Sequence, residues 1–341
     1  MKVGLLLAGD SPEREVSLET GRCVAKALIE LGHEFIALDT VRGGDPLPAD
    51  LVNWGEGPSP EPPELINGRG RYHGEAFAAV EACRSFGAQV IFNALHGGIG
   101  EDGTLQAYLD LVGIPYTGSG MPACALAMDK TTAKRIFQKE GVRTPRGLTI
   151  VSQNGRAPEN LSEELTGKLG LPMVVKPNDQ GSTVGLEIVE KQEKIGQAFV
   201  SAARYSSHVV IEEYIPGREL TVALLEDRAL PIVEILAQGG LYDYTCKYTN
   251  GKSQYLTNLD LSPNLTQEIQ RMSLEAFRIL GCYGYARADL RLDPGGVPYL
   301  LEINTLPGMT GHSLVPMAAR AEGMEFPELV GKIIELAIER D

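Results

Sequence analysis

Strand and helix signals alternate through the first third of the chain, and this alternation limits the possible folds more than any other feature. Residues 3–8 form a compact apolar run, apolar residues recur at helical spacing from 16 to 31, and residues 34–38 alternate as a strand does. After a loop rich in proline and glycine, a helix near 76–86 leads into a strand at 89–93. Alternating strands and helices form parallel sheets that bind ligands beyond the strands' carboxyl ends.

The pattern changes near residue 121. A helix at 130–140 precedes LPMVVKPNDQGSTVGLEIV, which reads as two strands joined by a glycine-rich turn; a helix near 192–201 and the strand HVVIEEYI follow. The remainder mixes the strands ELTVALLE, PIVEIL and YLLEIN with helices near 267–280 and 326–339. We expect an α/β domain over 1–120, a central α+β domain over 121–212 and a C-terminal domain over 213–341.

Charge and cysteine content exclude several classes of protein. The 341 residues carry a formal net charge of −14, which argues against nucleic acid or an anionic membrane as a general partner. The five cysteines are scattered and form no C-x-x-C pair, which favours a reducing compartment over a disulfide framework or zinc cluster. The first apolar run is too short for a membrane span or signal peptide, so we expect a cytoplasmic protein.

Three oxygen-bearing side chains mark a candidate metal site near the C-terminal end. Asp289 lies in RADLRLD, and Glu302 and Asn304 stand two apart in YLLEINT. Residues i and i+2 of a strand point to the same face, so the latter two can present their oxygens together. With Asp289 on a neighbouring strand they suit Mg²⁺ shared with nucleotide phosphates. The alternative is an ordinary solvated acidic face.

A second candidate is the turn in KPNDQGSTVG. Lys176 ends an apolar strand, and Gly181, Ser182, Thr183 and Gly185 follow it. Glycines let backbone N–H groups converge on phosphate oxygens, and a nearby lysine adds positive charge. The chain contains no Walker A motif, and an ordinary hairpin remains an alternative.

Two further lysines are candidates for phosphate contact, although a lone lysine is more often a surface residue. Lys130 stands at an apparent helix start in MDKTTAK. Lys247 lies in YDYTCKYTNGK, where Tyr242, Tyr244 and Tyr248 cluster outside any apolar period. Such a segment is typical of a binding loop or lid, and we expect residues 242–252 to close over a nucleotide.

Several acids and one histidine have both a structural and a functional interpretation. Glu212, Glu213 and Glu219 flank a strand–turn–strand and fit either exposed strand ends or an adenine and ribose site. SPEREVSLETG could be a helix start with Ser11 as its cap, or could supply a carboxylate for a substrate ammonium. His96 follows a strand inside a glycine loop; a lone histidine is more often structural, and its surroundings are not a zinc motif.

Taken together, these segments resemble the D-alanine:D-alanine ligase family of the ATP-grasp superfamily. The match runs in order from SPEREVSL through LHGGIGEDGT, MDK, VVKP, YDY…KY and GYARADL to LEINTLPGMTGHSLVPMAAR. It spans nearly the whole chain, and GEDGT and NTLPGMTGHSLVP are its most specific parts. The resemblance implies a three-domain ATP-grasp fold, with ATP held between the central and C-terminal domains. It also implies a homodimer that joins two D-alanines through a D-alanyl phosphate.

The resemblance assigns roles to individual residues. The resemblance implies that Lys130, Lys176 and Lys247 contact the nucleotide phosphates. It implies that Glu212, Glu213 and Glu219 contact adenine and ribose. Mg²⁺, with Mn²⁺ as a substitute, is expected to bind Asp289, Glu302 and Asn304. Glu13, linked to Ser182 and Tyr248, is expected to hold the ammonium of the first D-alanine near His96; Ser313 and Leu314 receive the carboxylate of the second, and Arg287 and the Gly308 N–H face the reacting carboxyl.

The first loop departs from the family pattern. It reads LAGDSPERE where the family usually has two glycines and a threonine or serine, so Ala8 and Asp10 are unusual. Asp10 adds negative charge near the ammonium site. The nearest alternatives are a ligase that makes D-alanyl-D-lactate or D-alanyl-D-serine, another ATP-grasp enzyme and a nucleotide-binding module without catalysis. Tyr248 favours the dipeptide, and the presence of Arg287 with all three metal ligands favours catalysis.

Overall fold

Three sheets organise residues 1–48, 73–237 and 253–340, which are the residues that the computed structural model describes. The first sheet is parallel, with strand order β2-β1-β3. Its strands are β1 (Lys2–Leu7), β2 (Glu34–Asp39) and β3 (Val90–Asn93), and its helices are α1 (Arg14–Glu30), α2 (His73–Phe86) and α3 (Thr104–Val112). The predicted N-terminal parallel sheet is therefore confirmed. Ser11 is not the cap of α1, because Glu13 holds the N-cap position.

The second sheet is antiparallel and has its own core. Its strands run in the order β4-β7-β5-β6, and Val175, Phe199 and Ile211 are among the side chains buried beneath it. The strands are β4 (Gly147–Val151), β5 (Met173–Pro177), β6 (Glu187–Val189) and β7 (His208–Glu213), and the helices before and between them are α4 (Met121–Met128), α5 (Lys130–Lys139), α6 (Leu161–Leu169) and α7 (Ile195–Ala203). The α+β unit predicted from the sequence is present.

The third sheet is also antiparallel, with strand order β10-β9-β8-β11-β12 among the described residues. Its strands are β8 (Arg218–Leu225), β9 (Arg228–Ala237), β10 (Ser253–Leu256), β11 (Tyr285–Leu292) and β12 (Pro298–Asn304), accompanied by the helices α8 (Pro263–Ile279), α9 (Leu314–Ala321) and α10 (Phe326–Ile338). Strand β11 lies between β8 and β12, so side chains on β11 have neighbours on both sides.

The apolar cores do not divide the chain in simple sequence order. One core joins the first sheet to α9 and α10, and α10 packs against α1. A second core combines the third sheet and α8 with Ala123, Ala133 and Phe137, which belong to α4 and α5. The loop between β12 and α9 is thereby held against the first sheet. The domain boundaries at 120 and 212 remain predictions.

Among the described residues, no helix is both long and apolar enough to cross a membrane.

Candidate active site

One cleft collects most of the polar residues that the sequence singled out. It lies beside the second and third sheets, with apolar walls from Val174, Ile188, Leu220 and Leu301. The predicted residues that line it are Lys130, Lys176, Glu212, Glu213, Glu219, Arg287, Asp289, Glu302 and Leu314. Apolar walls with a few charged groups are typical of a small-molecule site. The arrangement suits a ligand with a flat apolar part and an anionic part.

Two carboxylates face each other across the last two strands of the third sheet. Asp289 on β11 is the direct register partner of Glu302 on β12. Arg287 donates to both oxygens of Asp289, at 2.7 Å each, and Thr221 donates to Asp289 Oδ1 at 2.9 Å. Lys130 Nζ lies 3.2 Å from Glu302 Oε2. Each carboxylate thus has a cation beside it.

Asn304 completes the predicted set of oxygen donors. It lies two residues beyond Glu302 on β12, and its Oδ1 accepts a hydrogen bond from the Leu306 N–H at 2.9 Å. Among the described residues there is no group of three or more histidines, cysteines and carboxylates suited to a metal. Two carboxylates and one amide oxygen still fit a hard cation that takes its remaining ligands from phosphates.

A buried carboxylate lies between two lysines on the other side of the cleft. Lys176 on β5 contacts Glu212 Oε1 on the adjacent strand β7 at 2.6 Å, and Lys134 on α5 contacts Glu212 Oε2. Burial opposes the charge of Glu212, but the two ammonium groups outweigh it and lower the pKa of Glu212. Burial likewise opposes the charge of Lys176, yet the Glu212 carboxylate raises the pKa of Lys176 overall. The pKa of Lys134 is lowered by its burial.

The turn after β5 reaches the start of α1. Lys130 Nζ donates to the Gln180 carbonyl at 2.8 Å, and the Ser182 hydroxyl donates to Glu13 Oε1. A Cβ added at Gly181 would stand 2.6 Å from Glu13 Oε2, so a larger residue there would have to displace the Glu13 carboxylate. The Glu13–Ser182 contact joins residues 169 positions apart. The structure therefore places Glu13 beside the turn after β5.

His96 is buried and both of its ring nitrogens have partners. Nδ1 lies 2.9 Å from the Leu306 carbonyl, and Nε2 lies 2.9 Å from Thr20 Oγ1, which also accepts from the Met309 N–H at 3.3 Å. A carbonyl only accepts, so Nδ1 carries the proton and Nε2 accepts from the Thr20 hydroxyl. Burial lowers the pKa of His96, which favours this neutral form. His96 and Thr20 thus hold the loop after β12.

Gly308 and Ser313 lie together in that same loop. A Cβ at Gly308 would stand 3.0 Å from Ser313 Oγ, and Ser313 Oγ accepts from the Thr310 N–H at 3.0 Å. Ser313 is the N-cap of α9, and Leu314, the first residue of that helix, lines the cleft. Lys247 and Tyr248, with the rest of the 242–252 segment, lie outside the described residues.

Comparison with known proteins connects this geometry to a family. A model described as D-ala D-ala ligase N-terminus matches residues 2–119, and one described as D-ala D-ala ligase C-terminus matches residues 136–335. A D-alanine–D-alanine ligase of Nitrosospira multiformis is 42% identical over 98% of this chain and 96% of its own. One of Gloeobacter violaceus is 41% identical over 99% of this chain and 100% of its own.

The chain belongs to the D-alanine–D-alanine ligase family. A solved structure agrees with this result. The crystal structure of D-alanine–D-alanine ligase from Bacillus anthracis complexed with ATP has a TM-score of 0.77 and 29% identity, covering 99% of this chain and 97% of that one. The three-sheet architecture is therefore that of a D-alanine–D-alanine ligase.

Reasoning from the sequence missed Glu101 of this D-alanine–D-alanine ligase family member. Its Oε2 accepts from the Gly97 N–H at 3.0 Å. Burial, followed by the nearby charge of Glu13, raises the pKa of Glu101 to about 8. GEDGT was recognised as a motif, but its glutamate was given no role. An acid inside a glycine loop that follows a strand was the available signal.

Arg291 was also missed, although RADLRLD contains it. Its guanidinium donates to the carbonyls of Ile215 at 3.0 Å and Gly217 at 2.9 Å, to Glu219 Oε2 at 3.1 Å and to the Tyr214 hydroxyl at 3.2 Å. It therefore fixes the turn between β7 and β8, and the predicted nucleotide residues Glu212, Glu213 and Glu219 flank this turn. Its position two residues after Asp289 on β11 was a usable signal.

Proposed function

We infer that this chain is an ATP-dependent ligase that joins two D-alanines to give D-alanyl-D-alanine, with ADP and phosphate as co-products. The observation that carries the inference is a cleft in which most of the family's expected cations and carboxylates, among the described residues, come together. A nucleotide-binding protein without catalysis would have no need for Arg287 beside a pair of facing carboxylates. The substrate roles below are proposals that rest on the contacts already described.

ATP would occupy the cleft with its phosphates toward the lysines. Lys130 and Lys176 both line the cleft. Lys247 is the third lysine predicted to contact the phosphates. The ring and ribose would lie near the acids at the ends of β7 and β8, which are Glu212, Glu213 and Glu219. The apolar walls suit the faces of a purine, and the buried cations suit an anion.

A magnesium ion would be held by Asp289, Glu302 and Asn304, whose oxygen donors fit it. A Mg²⁺ ion held there would supply positive charge against the transferring phosphate, and Mn²⁺ is the expected substitute. Arg287 and Lys130, which contact the two carboxylates now, would then turn to the reacting groups.

The first D-alanine would place its ammonium on Glu13. Ser182 orients that carboxylate, and Tyr248 is the predicted third member of the group. His96 holds the neighbouring loop, and burial, followed by the charge of Glu13, raises the pKa of Glu101 to about 8, which favours its neutral form near neutral pH. We propose that the unusual Asp10 increases the negative potential around the ammonium site.

The second D-alanine would bind at the other end of the site. Ser313 and the first N–H groups of α9, at Leu314, would receive its carboxylate, because a helix N-terminus attracts anions. Its amine would then point toward the first substrate's carboxyl carbon. Ser313 and Gly308, the residues proposed to contact this carboxylate and the reacting carboxyl, both belong to the loop that His96 and Thr20 hold.

Chemistry then proceeds in two steps. A carboxylate oxygen of the first D-alanine attacks the γ-phosphorus and ADP departs, leaving a D-alanyl phosphate. The neutral amine of the second D-alanine attacks the carbonyl carbon, losing a proton, and the phosphate leaves. Arg287 and the Gly308 N–H would stabilise the oxyanion, a contact whose loss typically costs about 10²–10³ in rate. Positioning and electrostatics supply most of the remaining catalysis.

Phosphate release with defined substrate pairs tests this function. We expect release and dipeptide formation with ATP and D-alanine alone, and little with ATP and L-alanine alone. Release that requires D-lactate or D-serine as the second partner would instead identify the alternative ligases. No release with any of these acids would contradict the proposal. The homodimer and the cytoplasmic location stay predictions.

A further inference from the structure

Lys134 lies behind the cleft and does not line it. It projects from α5, its side chain is 13% exposed, and its ammonium contacts Glu212 Oε2. Glu212 and its other partner, Lys176, both line the cleft. A ligand in the cleft therefore meets Glu212 and Lys176 directly, whereas Lys134 can act on that ligand only through Glu212.

Charge explains why a second lysine is useful there. Glu212 is buried, so its ionised form needs a partner within the protein. Lys176 supplies one contact at 2.6 Å, but Lys176 is also the cation expected to turn toward the phosphates. When it turns, Lys134 is the one ion-pair partner among the described residues that still neutralises the carboxylate. One carboxylate between two ammonium groups also leaves a net positive charge that attracts a polyanion.

We propose that Lys134 is a positioning residue that keeps Glu212 ionised and aimed into the cleft, so that Lys176 is free for phosphate and Glu212 is free to read the purine. This inference rests on the proposed function, which places ATP in the cleft. The Glu212 oxygen that Lys176 releases can accept a hydrogen bond from the exocyclic amino group of adenine. Guanine presents a carbonyl oxygen at the same ring position, which a carboxylate repels. Lys134 therefore contributes to the choice of ATP over GTP.

Lys134→Met tests this role. The expected result is a fall of about ten- to a hundredfold in kcat/KM for ATP, the range expected when a hydrogen bond to a charged group is lost. The value for GTP falls much less, so the preference for ATP shrinks by about tenfold or more. Lys134→Arg, which keeps the charge, should retain the preference. Lys168→Met is the matched control, because Lys168 forms an exposed ion pair with Glu164.

A merely structural role gives a different result. If Lys134 only stabilises the fold, kcat/KM for ATP and GTP fall by the same factor and the preference is unchanged, which would overturn the proposal. Should Lys134→Met fail to fold, Glu212→Gln is compared with the double variant Glu212→Gln/Lys134→Met. The two should show the same nucleotide preference, because Lys134 acts only through Glu212. A further loss of preference in the double variant would also overturn the proposal.

Binding of ATP and GTP without D-alanine separates this inference from the proposed function. Calorimetric titration of each variant reports the nucleotide preference even if no dipeptide is made. Wild-type enzyme that prefers ATP but forms no D-alanyl-D-alanine would refute the proposed function alone. Wild-type enzyme that makes the dipeptide, beside a Lys134→Met variant with unchanged nucleotide preference, would refute only the role of Lys134.

Discussion

Thr20 joins α1 to the loop that carries Gly308 and Ser313, and replacing it should have a large, measurable effect on stability. Its hydroxyl donates to His96 Nε2 at 2.9 Å and accepts from the Met309 N–H at 3.3 Å. Thr20 is 1% exposed, so water cannot replace either bond without rearrangement. Thr20→Val keeps nearly the same shape and removes both contacts at once.

The magnitude follows from the two groups left unpaired. A buried donor or acceptor without a partner costs about 1–3 kcal/mol, so the acceptor on His96 and the donor on Met309 together predict a loss of about 2–6 kcal/mol in the free energy of unfolding. Thr20→Ser keeps the hydroxyl and removes one methyl group, which predicts a loss of only about 1 kcal/mol. Urea unfolding of wild type and both variants measures these differences.

The losses of activity in the two Thr20 variants should follow the same order as their losses of stability. Loosening the loop displaces Gly308 and Ser313, so Thr20→Val is expected to raise the KM for the second D-alanine and to lower kcat, while Thr20→Ser stays close to wild type. If Thr20→Val unfolds within about 0.5 kcal/mol of wild type, the size of an ordinary surface substitution, the buried bonds do not hold the loop and the reasoning fails.

Three further predictions concern separate parts of the molecule. The pKa of Glu101 is about 8 in the folded protein against a reference value of 4.5, so the folded state binds more protons between these limits and stability falls as pH rises through them. The free energy of unfolding of the wild type should therefore fall by an amount on the order of a few kcal/mol between pH 5.5 and pH 8.5, and Glu101→Gln should show a smaller fall. Urea unfolding at the two pH values measures both, and an equal fall in the two proteins would contradict the prediction. Ala8 is buried at φ 63°, so Ala8→Gly should stay within about 1 kcal/mol of wild type and Ala8→Val should lose about 2 kcal/mol or more, by thermal unfolding. Arg291→Met removes the bonds that fix the turn around Glu219 and should raise the KM for ATP about tenfold, the effect of one lost charged hydrogen bond; an unchanged KM would refute that role.

Local geometry explains which features were predictable from the sequence. Alternation of strand and helix signals indicated the parallel sheet, and the period of two along a strand placed Glu302 and Asn304 on one face. Asp289 lies opposite Glu302 because their strands are neighbours. These inferences need only the pattern within a strand and a short connection between two strands.

Long-range packing explains what was missed. Lys134 and Glu212 are 78 residues apart, and Thr20 and Met309 are 289 apart, so their contacts depend on how α5 and α1 pack against distant elements. No local period reports such packing. For the same reason the sequence did not reveal that the last helices share a core with the first sheet. The contact between Glu13 and Ser182 was expected from the family resemblance rather than from spacing, whereas the partners of His96, Thr20 and Leu306, were not predicted.

The most direct test of the central claim is the activity of Arg287→Ala. Arg287 is proposed to stabilise the oxyanion, and its guanidinium already points into the cleft beside Asp289. We predict that dipeptide formation falls by about 10²-fold or more, as when an oxyanion donor is removed, while ATP still binds measurably. Arg278→Ala, which removes an exposed arginine paired with Asp227, should leave both properties unchanged. Near-normal dipeptide formation by Arg287→Ala would contradict the account.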